Sequence, residues 1–193
     1  MDYSYYIEAL AADVAQAVRR YPNERERVEA IKPHLARWME RQEGLRPRDR
    51  LPCDGNRACG HLLYTAEDGA FFIISVVFPP GTSSGAHYHG AWGVIGVLEG
   101  EDEETKYARA GGPPEVSAGQ ECELQKTGVF HFPPGSITHL LPPEEGFHRV
   151  RAAADVNGVS LHILGGTAET HPHFLCDAET RTLVDFPMQA LLG

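Results

Sequence analysis

Two histidines, His87 and His89, lie two residues apart between a turn-rich approach, PPGTSSGA, and an apolar run, WGVIGVLEG. In a β-strand, residues i and i+2 face the same side, so both imidazoles are expected to point inward while Tyr88 points outward. Two imidazoles on one inner wall can chelate one metal ion. An HxH spacing by itself is a weak signal, because the chain contains 10 histidines.

A third protein ligand would have to come from a later strand of the facing sheet. Two candidates follow the first pair, His139 in PPGSITH and His148 in GFHRV. The spacing favours His148, because it opens a new strand after the turn PPEEG. His139 lies inside the preceding strand, where a polar residue on a strand face is the alternative. Three imidazoles would leave three positions of an octahedral ion open, but histidine alone does not select iron over zinc, copper or nickel.

Residues 1–44 are predicted to be helical, because their apolar residues recur at helical spacing. A break at the Tyr-Pro-Asn sequence precedes the second helix, and Asn23 with Glu26 forms a capping box for it. Pro33 should kink this helix or mark a late start. Gly44 is expected to end it.

The character of the chain changes after a predicted linker at residues 45–60. Residues 61–193 consist of short apolar or alternating runs separated by Gly, Pro and acidic turns. We count about ten to twelve such strands, which favour a sandwich or barrel over a βαβ fold. The last of them should form a hairpin that turns at residues 177–180.

The composition limits the classes of partner. The chain has 193 residues and a formal net charge of −10, which fits one domain with a modest addition and argues against nucleic acid or anionic membrane as partners. No apolar stretch approaches the length of a membrane span, and the N-terminus does not read as a signal peptide. The four cysteines are scattered, which predicts reduced thiols in a cytoplasmic protein, with a Cys53–Cys59 bond as the alternative.

The stretch PPG-x(5)-H-x-H-x(10)-G, which ends at Gly100, resembles the first motif of the cupin superfamily. Many cupins place a glutamate ligand four or five residues after the second histidine. Here these places are Gly93 and Val94, so a three-histidine site is expected. Nearly the whole chain further resembles the thiol dioxygenases, namely cysteine dioxygenase and the bacterial 3-mercaptopropionate dioxygenases. The resemblance is carried by LLYTAEDGAFFIISVVFPPG, HYHGAWGVIGVLEG, PPGSITHLLPPEEGFHRV and GVSLHILGG.

This resemblance implies a mainly β fold, the cupin double-stranded β-helix or jelly-roll barrel, with two N-terminal helices. It implies iron(II) on His87, His89 and His148, with O₂ as co-substrate. The implied reaction inserts both oxygen atoms into the sulfur of a small thiol, such as L-cysteine or a mercapto acid, to give a sulfinate. The expected protein is a monomer or homodimer.

The family carries a Ser-x-His-x-Tyr relay beside the iron. Ser160 and His162 match it, and the resemblance implies that His162, held by Ser160, orients a water or the substrate amine. Leu164 stands where the family has tyrosine, and it cannot donate a hydrogen bond. A product other than a simple sulfinate is therefore open.

Neither of the family's carboxylate-binding arginines is present at the matching places, which are Gly60 or His61 and Pro172 or His173. His61 or His173 is the expected substitute, and Trp92 and Leu164 are expected to shape an apolar substrate pocket. The competing interpretations are a cupin dioxygenase that acts on a non-thiol substrate and a non-catalytic cupin that binds a metal or ligand.

Overall fold

The computed structural model describes residues 3–41, 45–53, 57–111, 115–153 and 155–193. Helices α1 and α2 span Tyr3–Arg20 and Glu24–Arg41, and short 3-10 helices span Pro47–Arg50 and Met188–Leu191. The strands are β1 Cys59–Thr65, β2 Phe71–Phe78, β3 His87–His89, β4 Gly93–Glu99, β5 Asp102–Arg109, β6 Leu124–Phe132, β7 Ile137–Leu140, β8 Phe147–Ala152, β9 Gly158–Gly165, β10 His173–Cys176 and β11 Leu183–Asp185. The predicted end of the second helix at Gly44 lies outside the described residues.

The strands form two antiparallel sheets. One has the order β1-β2-β9-β4-β7, and the other has the order β11-β10-β3-β8-β5-β6. Their non-sequential order confirms the predicted mainly β fold of double-stranded β-helix type with two N-terminal helices. The predicted terminal hairpin is also present, because β10 pairs with β11 and Asp177 accepts backbone hydrogen bonds from Glu179 and Thr180 within the turn.

The three central strands of the five-stranded sheet, β2, β9 and β4, are buried on both faces. Strand β9 shows how its residues alternate between the two faces. Its outward row packs with the helices and contains Val159, Leu161 and Ile163. Its inward row contains Ser160, His162 and Leu164, all of them buried. Because side chains alternate along a strand, strand β9 supplies an apolar surface that packs against the helices. Its other face places two polar side chains in the interior of the barrel.

Helix α2 packs on strand β4 of this sheet. A Cβ atom at Gly96 would clash with the side chain of Met39, so this glycine permits the close approach of helix and strand. The predicted cap is present, because the Asn23 side chain accepts the backbone N–H of Glu26 at 3.2 Å. Pro33 lies inside α2, so the alternative of a late start at this proline is wrong. Neither long helix, in the part of the chain that the structure describes, has the length and apolar character needed to cross a bilayer.

The expectation of reduced thiols is wrong in this structure. Disulfides join Cys53 to Cys59 and Cys122 to Cys176, with Cα separations of 5.5 and 5.9 Å. The second pair was not visible in the sequence, because 54 residues separate its members and only the fold brings them together. Disulfides are rare in cytoplasmic proteins, and the cytoplasmic location stays a prediction. Strand β1 begins at Cys59, two residues before the predicted start of the barrel.

Candidate metal centre

Four histidines meet on three adjacent strands of the six-stranded sheet. Strand β3 pairs with β10 on one side, where His89 lies opposite His173, and with β8 on the other side, where His87 lies opposite His148. The ring centroid of His87 lies 4.4 Å from that of His148 and 4.9 Å from that of His173. The pairing of these strands therefore gathers the four imidazoles into one cluster, which we call the histidine cluster.

Each ring in the histidine cluster uses its Nδ1 atom in a hydrogen bond outside the cluster. His87 and His173 donate Nδ1–H to backbone carbonyls, of Gly85 at 3.1 Å and of Phe186 at 2.6 Å. A carbonyl oxygen can only accept, so Nδ1 carries the proton in both rings and Nε2 keeps its lone pair. Both rings are thus in the tautomer that a metal ligated through Nε2 requires.

His89 reaches the same tautomer through a second imidazole, His171. The Nδ1–H of His171 donates to the carbonyl of Gly165 at 2.7 Å, so the Nε2 atom of His171 must accept. It accepts the Nδ1–H of His89 at 2.8 Å, which leaves the Nε2 lone pair of His89 free. His171 therefore orients His89, as the hydrogen-bond partners of metal-ligating histidines do.

His148 is fixed by a buried carboxylate. Its Nδ1 atom lies 2.7 Å from Oε1 of Glu104, and both side chains are only 2% exposed. Burial raises the pKa of the Glu104 carboxyl, but the hydrogen bond with His148 and nearby positive charge together outweigh burial, so the pKa of this carboxyl is lowered. The Nε2 atom of His148 is buried and has no hydrogen-bond partner among the described residues. Buried polar atoms normally have a partner, so this atom is available to bind a metal ion.

The distance between the Nε2 atoms of His87 and His89 is 3.0 Å. Because both Nδ1 atoms carry the protons, these two nitrogens face each other with lone pairs, which repel unless a cation lies between them. Two nitrogen ligands at about 2.1 Å from one ion are separated by about this distance when they are adjacent in its coordination shell. The nitrogen donors of His87, His89 and His173 all lie within 4.8 Å of one another, so these residues fit a divalent metal.

Burial lowers the pKa values of His87, His89 and His173 and so favours their neutral forms, which ligation requires. It lowers the pKa values of His87 and His89 well below the ordinary value of 6.5, and neighbouring imidazoles lower them further. The pKa of His173 falls to about 4 and that of His171 to about 4 for the same main reason, although a backbone carbonyl opposes the shift at each. His87, His89 and His173 therefore bind protons weakly and present lone pairs at neutral pH.

A cavity of about 310 Å³ opens onto the histidine cluster. Its wall is mainly apolar. Among the described residues that line it, the exposed Arg57 is the one that is formally charged, and His162 lies beside the cluster. The remaining lining residues are Ala58, Val76, Phe78, Ser83, Ser84, Val150, Phe186, Met188, Ala190 and Leu191. A space of this size and character suits a small molecule with an apolar body and one anionic end.

Ser160 and His162 come together as the alternation predicted. The Oγ atom of Ser160 lies 2.9 Å from Nε2 of His162, and burial lowers the pKa of His162 to about 3. Asp102 on β5 carries a carboxyl that is only 4% exposed. Burial raises the pKa of Asp102 to about 7, Ser160 opposes this rise, and the charge of Glu104 adds to it. A buried row of Asp102, Ser160 and His162 thus ends at the cavity.

Three residues expected to bind substrate lie elsewhere. The Nε2 atom of His61 bonds the carbonyl of Leu51 at 2.9 Å, on the outer part of β1. Trp92 is packed among the residues under the helices, with the guanidinium of Arg27 5.4 Å from its ring. Leu164 is fully buried in the barrel core. None of the three is among the described residues that line the cavity, because outward-facing and deep core positions cannot reach it.

His173, the fourth residue expected to bind substrate, does line the cavity, but it lies within the histidine cluster itself. His139, the alternative third ligand, is outside the cavity and lies 3.3 Å from Glu145.

Sequence reasoning missed four residues at the site, Arg57, Asp102, Glu104 and His171. His171 and His173 form a second HxH spacing, which could have indicated that both residues belong to the metal site. Asp102 and Glu104 lie two residues apart on strand β5. In the sequence they belong to an acidic segment, and nothing there predicts that their side chains point into the barrel. Arg57 falls in the segment that was predicted as a linker, so nothing in the sequence connected it with the barrel interior.

No protein-family model matches the chain. Among solved structures it is similar to an uncharacterised protein with a double-stranded β-helix domain from Klebsiella pneumoniae, at 11% identity over 68% of this chain and 88% of that one, with a TM-score of 0.49. It is also similar to the DMSP lyase DddQ from Ruegeria pomeroyi, at 22% identity over 67% and 57% of the two chains, with a TM-score of 0.45. A cupin superfamily protein from Desulfitobacterium hafniense matches at 14% identity over 61% and 84%, with a TM-score of 0.41. Because these TM-scores lie below 0.5, these similarities carry no argument about the function of this chain.

Proposed function

We propose that the chain is an iron(II)- and O₂-dependent oxygenase that oxidises the sulfur of a small thiol. The observation that carries the proposal is the histidine cluster at the inner end of the cavity. In this cluster the Nδ1 atoms are engaged elsewhere, and two Nε2 lone pairs lie 3.0 Å apart. His87, His89 and His148 are the proposed ligands. The choice of iron and of thiol chemistry comes from the resemblance to thiol dioxygenases, whose ligand motifs these three residues match.

Bound iron(II) would supply a site for the thiolate and for O₂. The residues of the chain would orient the ligands, limit the access of water and position the substrate. Glu104 and His171 hold His148 and His89 in the ligating tautomer, and the apolar wall limits water near the sulfur. His162 lies at the cavity with Ser160 behind it, so it can hold a polar group of the substrate in place. The net reaction adds one O₂ to one thiol and gives a sulfinic acid.

Arg57 supports a thiol that carries a carboxylate. It lies at the cavity, and its guanidinium can donate two hydrogen bonds to a carboxylate. This arginine would replace the family arginines that are absent from β1 and from the segment before β10. The proposed ligands all come from one chain, so a monomer would be sufficient for the site.

The test is oxygen consumption by the protein after anaerobic loading with one equivalent of iron(II). L-cysteine, cysteamine and 3-mercaptopropionate are offered in turn, and the product is identified by mass spectrometry. We expect uptake with at least one carboxylate thiol. The variant His148→Ala should lose the uptake, whereas His139→Ala, which changes a histidine outside the cavity, should retain it.

The other interpretations make different predictions for the same experiment. Uptake with none of the thiols, while iron stays bound, would favour a cupin dioxygenase with a non-thiol substrate or a non-catalytic metal-binding protein. The buried Leu164 in place of the family's tyrosine is the observation that favours a different product or substrate. Equal loss of activity in the two histidine variants would contradict the proposed ligand set.

A further inference from the structure

The histidine cluster contains one imidazole more than a three-histidine site needs. His148 and His173 lie on opposite sides of strand β3, opposite His87 and His89 respectively. The ring of His89 lies 5.2 Å from the ring of His148 and 4.7 Å from the ring of His173. The ring centroids of the two flanking histidines thus lie at similar distances from the central pair. Among the described residues, however, the donor atoms that all lie within 4.8 Å of one another are those of His87, His89 and His173, and the group does not include His148.

His173 is equipped as a ligand in the same way as the other three. Its Nδ1–H donates to the carbonyl of Phe186 at 2.6 Å, so its unprotonated Nε2 atom remains for an ion. Its side chain is buried at the cavity wall. Its nitrogen donor lies within 4.8 Å of those of His87 and His89. A carboxylate-binding residue would instead need a proton on the nitrogen that faces the cavity, and that nitrogen has none.

We propose that His173 is a fourth protein ligand of the metal, so that the centre is held by His87, His89, His148 and His173. This inference rests on the proposed function for the presence of a metal at the site. A ligand role for His173 replaces the expectation that this residue binds the carboxylate of the substrate. With four protein ligands, a bound ion would have room for sulfur and O₂ but would not require an amine of the substrate as a further ligand.

The test uses the full chain loaded with one equivalent of cobalt(II) and needs no substrate. Each imidazole that binds paramagnetic cobalt through Nε2 and keeps its Nδ1–H gives one strongly shifted proton resonance that disappears in D₂O. Wild type is expected to show four such resonances. His173→Ala should show three, and His162→Ala should show four, because His162 lines the same cavity but its Nε2 atom bonds Ser160.

The outcomes separate this inference from the proposed function. Three exchangeable resonances in wild type, unchanged in His173→Ala, would overturn the fourth ligand and leave a three-histidine metal site in place. No bound cobalt and no shifted resonance in wild type would overturn the metal site and with it the proposed function. Because the wild-type count is decisive by itself, a failure of His173→Ala to fold does not remove the test.

Discussion

Replacing Asp102 with asparagine is expected to remove a large pH dependence from the free energy of unfolding. Asp102 is 4% exposed, and its Oδ1 atom has no hydrogen-bond partner among the described residues. Burial is the main reason that its pKa rises from 3.8 to about 7. Asparagine has nearly the same shape and does not ionise in this range, so the substitution isolates the cost of burying the charge.

The sign follows from proton binding in the two states. Between pH 3.8 and 7 the folded state holds the proton of Asp102 and the unfolded state has lost it, so stability falls as the pH rises through this window. One pH unit is worth about 1.4 kcal/mol, so the full cost of an ionised Asp102 is about 4 kcal/mol. Between pH 5 and pH 9 we expect wild type to lose about 3 kcal/mol relative to Asp102→Asn.

The assay is urea unfolding of the metal-free protein at pH 5, 7 and 9, with Asp185→Asn as the control because Asp185 is exposed. The difference between wild type and Asp102→Asn should grow in favour of the variant as the pH rises. The difference between wild type and Asp185→Asn should stay nearly constant. If the first difference is the same at pH 5 and pH 9, Asp102 does not hold a proton in the folded state and the reasoning is refuted.

Three further predictions concern the hydrogen bond of Glu104 to His148, the buried His162, and the contact of Gly96 with helix α2. Glu104→Ala deprives the Nδ1–H of His148 of its acceptor, so cobalt(II) affinity should fall by about 10- to 100-fold in a competition titration with a chelator. Unchanged affinity would show that the carboxylate does not position the ligand. His162 stays neutral when buried, with a pKa of about 3, so the metal-free protein should lose about 3 kcal/mol on its account between pH 6.5 and pH 4. His162→Gln should lack this loss, and equal pH profiles would contradict the assignment. Gly96→Ala should cost about 1–3 kcal/mol in urea unfolding because the new methyl group meets Met39. The loss should be smaller in a Met39→Ala background, and strictly additive losses would disprove the contact.

Period-two alternation predicted the inner wall of the barrel well. It placed Ser160 and His162 on one face of a strand and brought them within hydrogen-bond distance. The turn before His148 distinguished it from His139, which lies outside the cavity. The shared face of Ser160 and His162 could be predicted because the direction of a side chain depends on the local backbone of a single strand. The role of His148 as a ligand stays a prediction. The expectation that its strand belongs to the facing sheet is wrong, because β8 pairs with β3 in the same sheet.

The remaining features depend on pairing between distant strands, which the sequence pattern does not encode. His173 joins the histidine cluster only because β10 pairs with β3, and Glu104 reaches His148 only because β5 pairs with β8. The bond between Cys122 and Cys176 has the same origin. Trp92 was misplaced because an aromatic residue beside an inward-facing motif can also face outward, where the helices cover it.

The central claim is that both atoms of one O₂ are added to the sulfur of a small thiol at the histidine cluster. The most direct measurement is turnover of the iron-loaded protein with a carboxylate thiol under ¹⁸O₂, with the consumed oxygen and the product mass recorded together. The account predicts one O₂ consumed for each thiol oxidised and two heavy oxygen atoms in the product. A product without heavy oxygen, or thiol oxidised only to a disulfide, would contradict it.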